Sequence, residues 1–414
     1  MKREQASTLA VTSIAHFIND GQSAILPLMF PLLAYFVTSS LLVAVIATVF
    51  YIFSSFASPY ATAMAERSGN MGRWMGIGLL ILAVGTIGMG LAIAPSHAFP
   101  TASYVLILVF ASVAGFGSSF YHPIGASLIQ LSFEENVQGI ALGTNGTLGS
   151  LGRALFTTIS AAVFTFLAVG HDNYFALVYG MAIFGFAGLV VSILVIMYFS
   201  SVKYASLGRK RAAKRRVSLG PVIRRTWLLI LITVVRNMQS TGVFIFLTTY
   251  ILSQGLLSYG VGLGFVYTLM LAGPVVGQPM FGRMSDLLGR KTSLFVTSVG
   301  SGLFMILFLL TNSLFPYSLV FLALFGTFAF TGFPILLPIA YAQLPPESRA
   351  TGNGVMWAAI GSGSAAGPVI TRILAERGLA GSLYASFAIL SACAIAVSFL
   401  SFAVRINENN GTAA

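Results

Sequence analysis

What most restricts this chain is the recurrence of apolar stretches about 20 residues long, the length that crosses a bilayer as an α-helix. Twelve can be placed, at 8–36, 41–64, 74–94, 102–130, 138–168, 173–200, 225–253, 257–281, 292–311, 315–343, 351–374 and 381–404. Hydrocarbon holds no water to satisfy backbone N–H and C=O groups, so such stretches must close their hydrogen bonds internally, as helices do. Composition excludes the soluble alternative. Of 414 residues 57% are hydrophobic and 8% charged, too little charge to cover a water-soluble chain of this size. The lone Cys393 excludes an intramolecular disulfide and a cysteine metal cluster. The first run is too long for the apolar core of a cleavable leader, so none is expected.

The charges follow the pattern of a polytopic membrane protein. Of 22 Lys and Arg, nine fall in "KYASLGRKRAAKRRVSLGPVIRR", Lys203 to Arg225, which divides six runs from six. Short connections on the same side carry Arg67, Arg73, Arg283, Arg290, Lys291 and Arg349, while the opposite side carries chiefly Asp172, Glu376 and Arg377. Basic loops stay inside, so both termini are expected in the cytoplasm and the chain in the cell membrane. The net charge of +12 is therefore not read as a nucleic-acid surface. The expected organisation is an N-terminal six-helix bundle over 1–200, a basic linker over 201–224 and a C-terminal six-helix bundle over 225–414.

The halves repeat. "AGFGSSFYHPIG" (114–125) matches "FGTFAFTGFPIL" (325–336) at an offset of 211, which sets Gly115 on Gly326, Pro123 on Pro334 and Gly143 on Gly354. "INDGQS" (18–23) matches "RNMQST" (236–241) if Gln22 meets Gln239 and Ser23 meets Ser240; Asp20 then stands opposite Asn237 and Asn19 opposite Arg236. Repeated halves with a ligand site near the midplane are characteristic of secondary transporters.

"GRMSDLLGRK" (282–291) is the sharpest motif: Gly282, Asp286, Gly289, Arg290 and Lys291 at fixed spacing between the eighth and ninth runs. It resembles motif A of the major facilitator superfamily. The resemblance extends to the whole chain through the six-plus-six layout and implies an all-α fold of twelve membrane helices in two pseudo-symmetric bundles. It also implies a gate at the cytoplasmic face. The N-terminal copy, "TAMAERSGNMGR" (62–73), is degraded, with Thr62, Glu66 and Asn70 at three motif positions; Glu66 and Arg67 are its charged members. Within that superfamily, "AHFIND…SAILPLMFPLL" and "GFGSSFYHP" are similar to the fosmidomycin-resistance exporters, which implies proton-driven efflux. Members of that group carry an acidic residue after the His-Pro pair, where this chain has Ile124.

Ionisable groups inside the runs are few: His16, Asp20, His122, Arg153 and Arg236, with Arg372 near an end. Each costs about 3 kcal/mol at mid-membrane on insertion scales, so a function is the first hypothesis for them. Asp20 is the one carboxylate deep in a run. It can carry a proton or form a fixed tie to an arginine. His122 can relay protons, bond substrate or merely pack. Arg153 and Arg236 suit a carboxylate or phosphonate through the planar guanidinium, or pair with Asp20 or backbone carbonyls. His16, one turn from Asp20, joins Asn19, Gln22, Tyr121, Asn145, Asn237, Gln239 and Trp357 as further candidates for the substrate site, with Tyr267 as a wall; interhelical bonding is the other role open to them.

These features imply an antiporter that exports a small anionic or amphiphilic molecule against protons by alternating access, acting as a monomer without a cofactor. Proton-coupled import of an organic acid or another nutrient is the alternative. A nucleophile triad, a metal-ligand cluster and a Walker A loop are all absent from the sequence, which argues against an enzyme and against ATP-driven transport.

Overall fold

The computed structural model describes residues 3–33, 40–170, 173–201, 219–311, 313–314, 316–345, 348–377 and 382–405. Every regular element among them is a helix: α1 (Arg3–Ser23), α2 (Leu26–Leu33), α3 (Ser40–Phe56), α4 (Ser58–Ser68), α5 (Met71–Ile93), α6 (Pro100–Ser118), α7 (Tyr121–Ser132), α8 (Glu135–Ala168), α9 (Asn173–Ser201), α10 (Leu219–Ser253), α11 (Val261–Leu288), α12 (Arg290–Leu310), α13 (Tyr317–Ala329), α14 (Phe333–Gln343), α15 (Arg349–Arg377) and α16 (Leu383–Ser398), which ends in a 3-10 turn at Phe399–Ala403. They lie where the twelve apolar runs lie. Nine spans among the described residues are long and apolar enough to cross a membrane by length and composition alone.

Four runs that read as continuous are broken. The first divides into α1 and α2, the second into α3 and α4, the fourth into α6 and α7, the tenth into α13 and α14. Each second piece carries a proline within its first three residues: Pro27, Pro59, Pro123 and Pro334. Proline has no N–H to give and its ring clashes with the preceding turn, so it is tolerated at a helix start.

Two compact units result, Met1–Lys214 with Ile251–Thr268, and Arg215–Tyr250 with Leu269–Ala414. In the first, α5 packs on α6 and α9, α3 on α6, and α1 on α7, α8 and α9. Residues 251–268 join this unit through Tyr259, whose hydroxyl donates to the Leu28 carbonyl (2.9 Å), and through Thr268, which bonds the Ala154 carbonyl and the Thr157 and Thr158 hydroxyls. In the second, α12 packs on α13, α14 and α16, and α15 on α14 and α16.

The repeat holds at atomic level. A Cβ on Gly115 would strike the Phe50 carbonyl, and one on Gly326 the Met270 carbonyl. One on Gly152 would strike the Phe17 carbonyl, and on Gly363 the Val234 carbonyl. Gln22 donates to the Phe184 carbonyl (3.0 Å) and accepts from Thr86 (3.3 Å), tying α1 to α9 and α5. Gln239 bonds the Ser301 carbonyl (3.2 Å) and hydroxyl and the Ser391 hydroxyl (3.1 Å), tying α10 to α12 and α16.

Candidate functional site

In the first unit the small residues of α8 bring α1 close. Gly149 leaves room for the His16 ring, and Gly152 for the Phe17 backbone. This approach sets Arg153 of α8 beside Asp20 of α1. Asp20, 4% exposed, lies among three basic groups: Arg153 Nε at 3.3 Å, His16 Nε2 at 3.4 Å and His122 Nε2 at 3.5 Å. Asn19 donates to the same carboxylate at 3.0 Å.

His16 is held from behind. Its Nδ1 lies 2.8 Å from the Asn145 carbonyl and 3.0 Å from Oδ1 of Asn145, both acceptors, so Nδ1 carries a hydrogen. Nε2 then faces Asp20, and an attractive contact there needs a proton between nitrogen and carboxylate. Tyr121 stacks on the His16 ring at 4.6 Å, and its hydroxyl donates to the Thr12 carbonyl (2.8 Å) and meets the Asn145 amide. His122 stands edge-on to His16 at 5.3 Å. Tyr121 and Asn145 therefore act on the site by orienting His16.

The cluster includes a donor set that a transition metal could use, because ligand atoms of His16, Asp20 and His122 lie within 4.8 Å of one another. Arg153 competes for the same carboxylate, and a cation would have to displace it. Sequence reasoning missed Tyr51 of α3, which lies within electrostatic reach of Arg153 and Asp20. Tyr51 lies outside the repeat matches and the motifs, so nothing in its surroundings marks it.

Arg236 of α10 lies in the second unit, 4% exposed. Its Nη2 donates to the Phe328 carbonyl at 3.0 Å, while Nη1 is buried and has no hydrogen-bond partner. No carboxylate pairs with it among the described residues. Gly332 leaves the space against Nη1 that a Cβ would fill. Asn237 turns back to the Thr233 carbonyl of its own helix (2.8 Å), Gln239 is fully engaged between helices, and Trp357 of α15 is half-buried.

In the motif at 282–291, Gly289 turns the chain from α11 into α12 with φ 89°. Arg290 donates to the Pro338 carbonyl (3.1 Å) and Lys291 to the Phe402 carbonyl (3.5 Å). Asp286 is exposed, Gly282 partly so. The degraded copy keeps the turn, with Gly69 at φ 75°. There Asn70 caps α5 by accepting from the Arg73 amide and donates to the Phe199 carbonyl of α9 (3.0 Å). Arg67 is exposed in the last turn of α4, and the Glu66 side chain lies outside the described residues.

Known proteins agree with this architecture. The chain is 22% identical over 385 residues to a protein of Bacillus subtilis (strain 168) named an uncharacterized MFS-type transporter, YfnC, covering 91% of this chain and 88% of that one. A bacterial homolog of the human lysosomal transporter Spinster superposes with a TM-score of 0.73 at 15% identity over 98% of both chains. The xylose transporter XylE from E. coli does so with 0.73 at 12% identity over 96% and 95%, and the E. coli fucose:proton symporter FucP with 0.66 at 14% identity over 97% and 100%. The Major Facilitator Superfamily profile matches residues 12–275 and 229–412, and with this coverage the chain belongs to that superfamily as a multi-pass membrane transporter rather than an enzyme.

Proposed function

We propose that this transporter exports a small anionic or amphiphilic compound against a proton gradient by alternating access, as a monomer in the cell membrane with both termini in the cytoplasm. One observation carries the proton coupling: a buried carboxylate, Asp20, within 3.3–3.5 Å of an arginine and two histidines. A proton arriving on Asp20 cancels the charge that holds Arg153. The guanidinium, whose side chain is 30% exposed, is then released toward an anion. Substrate binding to Arg153 in turn leaves Asp20 without its shortest basic contact, so proton and anion favour each other; this linkage supports the second reading, proton-coupled import, while His16 and His122 offer the proton a route in either case. Arg236, with a free N–H and no carboxylate partner among the described residues, is the second group proposed to hold substrate. The motif at 282–291 is proposed to gate the cytoplasmic face. The likeness of residues 15–33 and 115–123 to the fosmidomycin-resistance exporters supports efflux.

The test uses a labelled carboxylate or phosphonate that stabilises the purified protein. In inside-out vesicles with an acidic lumen, an antiporter loads the lumen and a symporter does not. Asp20→Asn is expected to abolish gradient-driven accumulation while leaving substrate exchange intact. Unchanged accumulation in this variant would remove Asp20 from the proton path.

A further inference from the structure

The start of α10, Gln343 and residues 403–405 line an open cavity of about 1000 Å³ that the proposed transport does not use. It is built wholly within the second unit. Arg224, Arg225 and Arg405 line it, with Gln343, Trp227, Leu228 and Val404. The three arginines and Trp227 are exposed, so their heads are not committed to the protein interior. Gln343 is different. It is 7% exposed, its Nε2 is buried without a hydrogen-bond partner, and it sits in the wall of this cavity. A buried amide donor left unmatched costs about 1–3 kcal/mol, so its presence calls for an acceptor.

Three guanidinium groups lining one cavity, with the buried Gln343 amide in its wall, suit an anion with several acceptor oxygens, and the planar arginine fork matches carboxylate and phosphate alike. The first turn of α10, with Gly220 in the cavity wall, adds the positive end of its helix dipole. The remaining wall decides between a soluble phosphate and a lipid. Leu228, Val404 and the Trp227 ring give the cavity an apolar side, and tryptophan favours the headgroup level of a bilayer. Basic pockets between membrane helices are the usual seats of anionic headgroups. We infer that this cavity binds the phosphate of an anionic phospholipid, with Arg224, Arg225, Arg405 and Gln343 as donors to the headgroup and Trp227 and Leu228 against its acyl chains. This site is independent of the substrate and the proton.

The full-length protein in mild detergent is titrated with phosphatidylglycerol, with phosphatidylcholine and with inorganic phosphate, and thermal stability is followed. Phosphatidylglycerol is expected to give a saturable rise that phosphatidylcholine does not. The Arg224→Gln/Arg225→Gln variant and Gln343→Leu should each raise the half-saturating lipid concentration about tenfold, the loss of roughly one charge-assisted bond. Gln343→Leu removes no charge, so its effect separates a site from general attraction. Arg67→Gln/Arg73→Gln removes the same charge in the other unit and should leave the titration unchanged. An equal loss in that control, or no loss with Gln343→Leu, overturns the proposal. So does a saturable response to inorganic phosphate that blocks phosphatidylglycerol, which would assign the cavity to a soluble anion.

Discussion

Asp20 and Arg236 are both 4% exposed, yet their surroundings are opposite: Asp20 has three basic neighbours, whereas Arg236 has no carboxylate partner among the described residues. The repeat makes the contrast sharper. Carried into the second half, the positions of His16, Asp20, His122 and Arg153 become Thr233, Asn237, Phe333 and Ser364, so the charged cluster has a neutral counterpart. Breaking a buried ion pair strands its partner, whereas deleting an unpaired buried charge relieves its desolvation. Arg153→Gln should therefore lower stability by about 2 kcal/mol, discounted for the partial exposure of Arg153. Arg236→Gln should leave stability unchanged or raise it, while weakening an anionic ligand by about tenfold or more. Thermal unfolding with and without the ligand checks both. Equal destabilisation by the two changes would show that Arg236 has a structural partner like that of Arg153. The sequence already placed His16 and Asp20 on one face, because four residues make one helical turn. It left open which arginine meets Asp20, since Arg153 lies 133 positions away and only the glycine-lined approach of α8 to α1 selects it.

At the scale of the helix, hydropathy located the runs and was blind to their interruptions. An apolar residue scores alike in one long helix or in two short ones, and only the prolines at 27, 59, 123 and 334 mark the restarts. Glycine shows a similar limit. Gly115 with Gly326, and Gly143 with Gly354, are matched at one offset and look equivalent in sequence. Their environments differ: the first pair faces carbonyls of Phe50 and Met270, and the second pair has open space. Close backbone approach leaves no volume for a methyl, and a rigid carbonyl cannot turn aside as a side chain can. Gly115→Ala and Gly326→Ala should each cost about 1–3 kcal/mol, the range for overpacking a filled interior. Gly143→Ala and Gly354→Ala should be neutral or slightly stabilising through better helix propensity. The four variants compared by thermal unfolding in one detergent give the answer. A large loss at Gly143 or Gly354 would mean that their faces are covered during function or folding.

For the whole molecule, α11 poses the sharpest question. It is one helix from Val261 to Leu288, yet the boundary between the two compact units falls inside it, after Thr268. Under the alternating access proposed above, a rigid helix cannot keep its contacts with both units throughout the cycle. Either its first two turns part from α8 when the transporter changes state, or the helix bends at Gly273-Pro274, where proline removes a ladder hydrogen bond. The threonine contact distinguishes the two. The hydroxyls of Thr158 and Thr268 lie 2.7 Å apart, a separation from which two cysteine sulfurs can reach bonding distance. Because Cys393 is exposed, the test begins from Cys393→Ala. Thr158→Cys/Thr268→Cys is expected to transport normally when reduced, to lose transport on oxidation and to recover it with a reductant. Ligand-induced thermal stabilisation should persist in the oxidised protein, because the bridge locks a state without removing Asp20, Arg153 or Arg236. Normal transport by the fully bridged protein would shift the motion to Gly273-Pro274. Pro274→Ala should then slow transport where the bridge did not, since a straightened helix would have to carry both of its ends together.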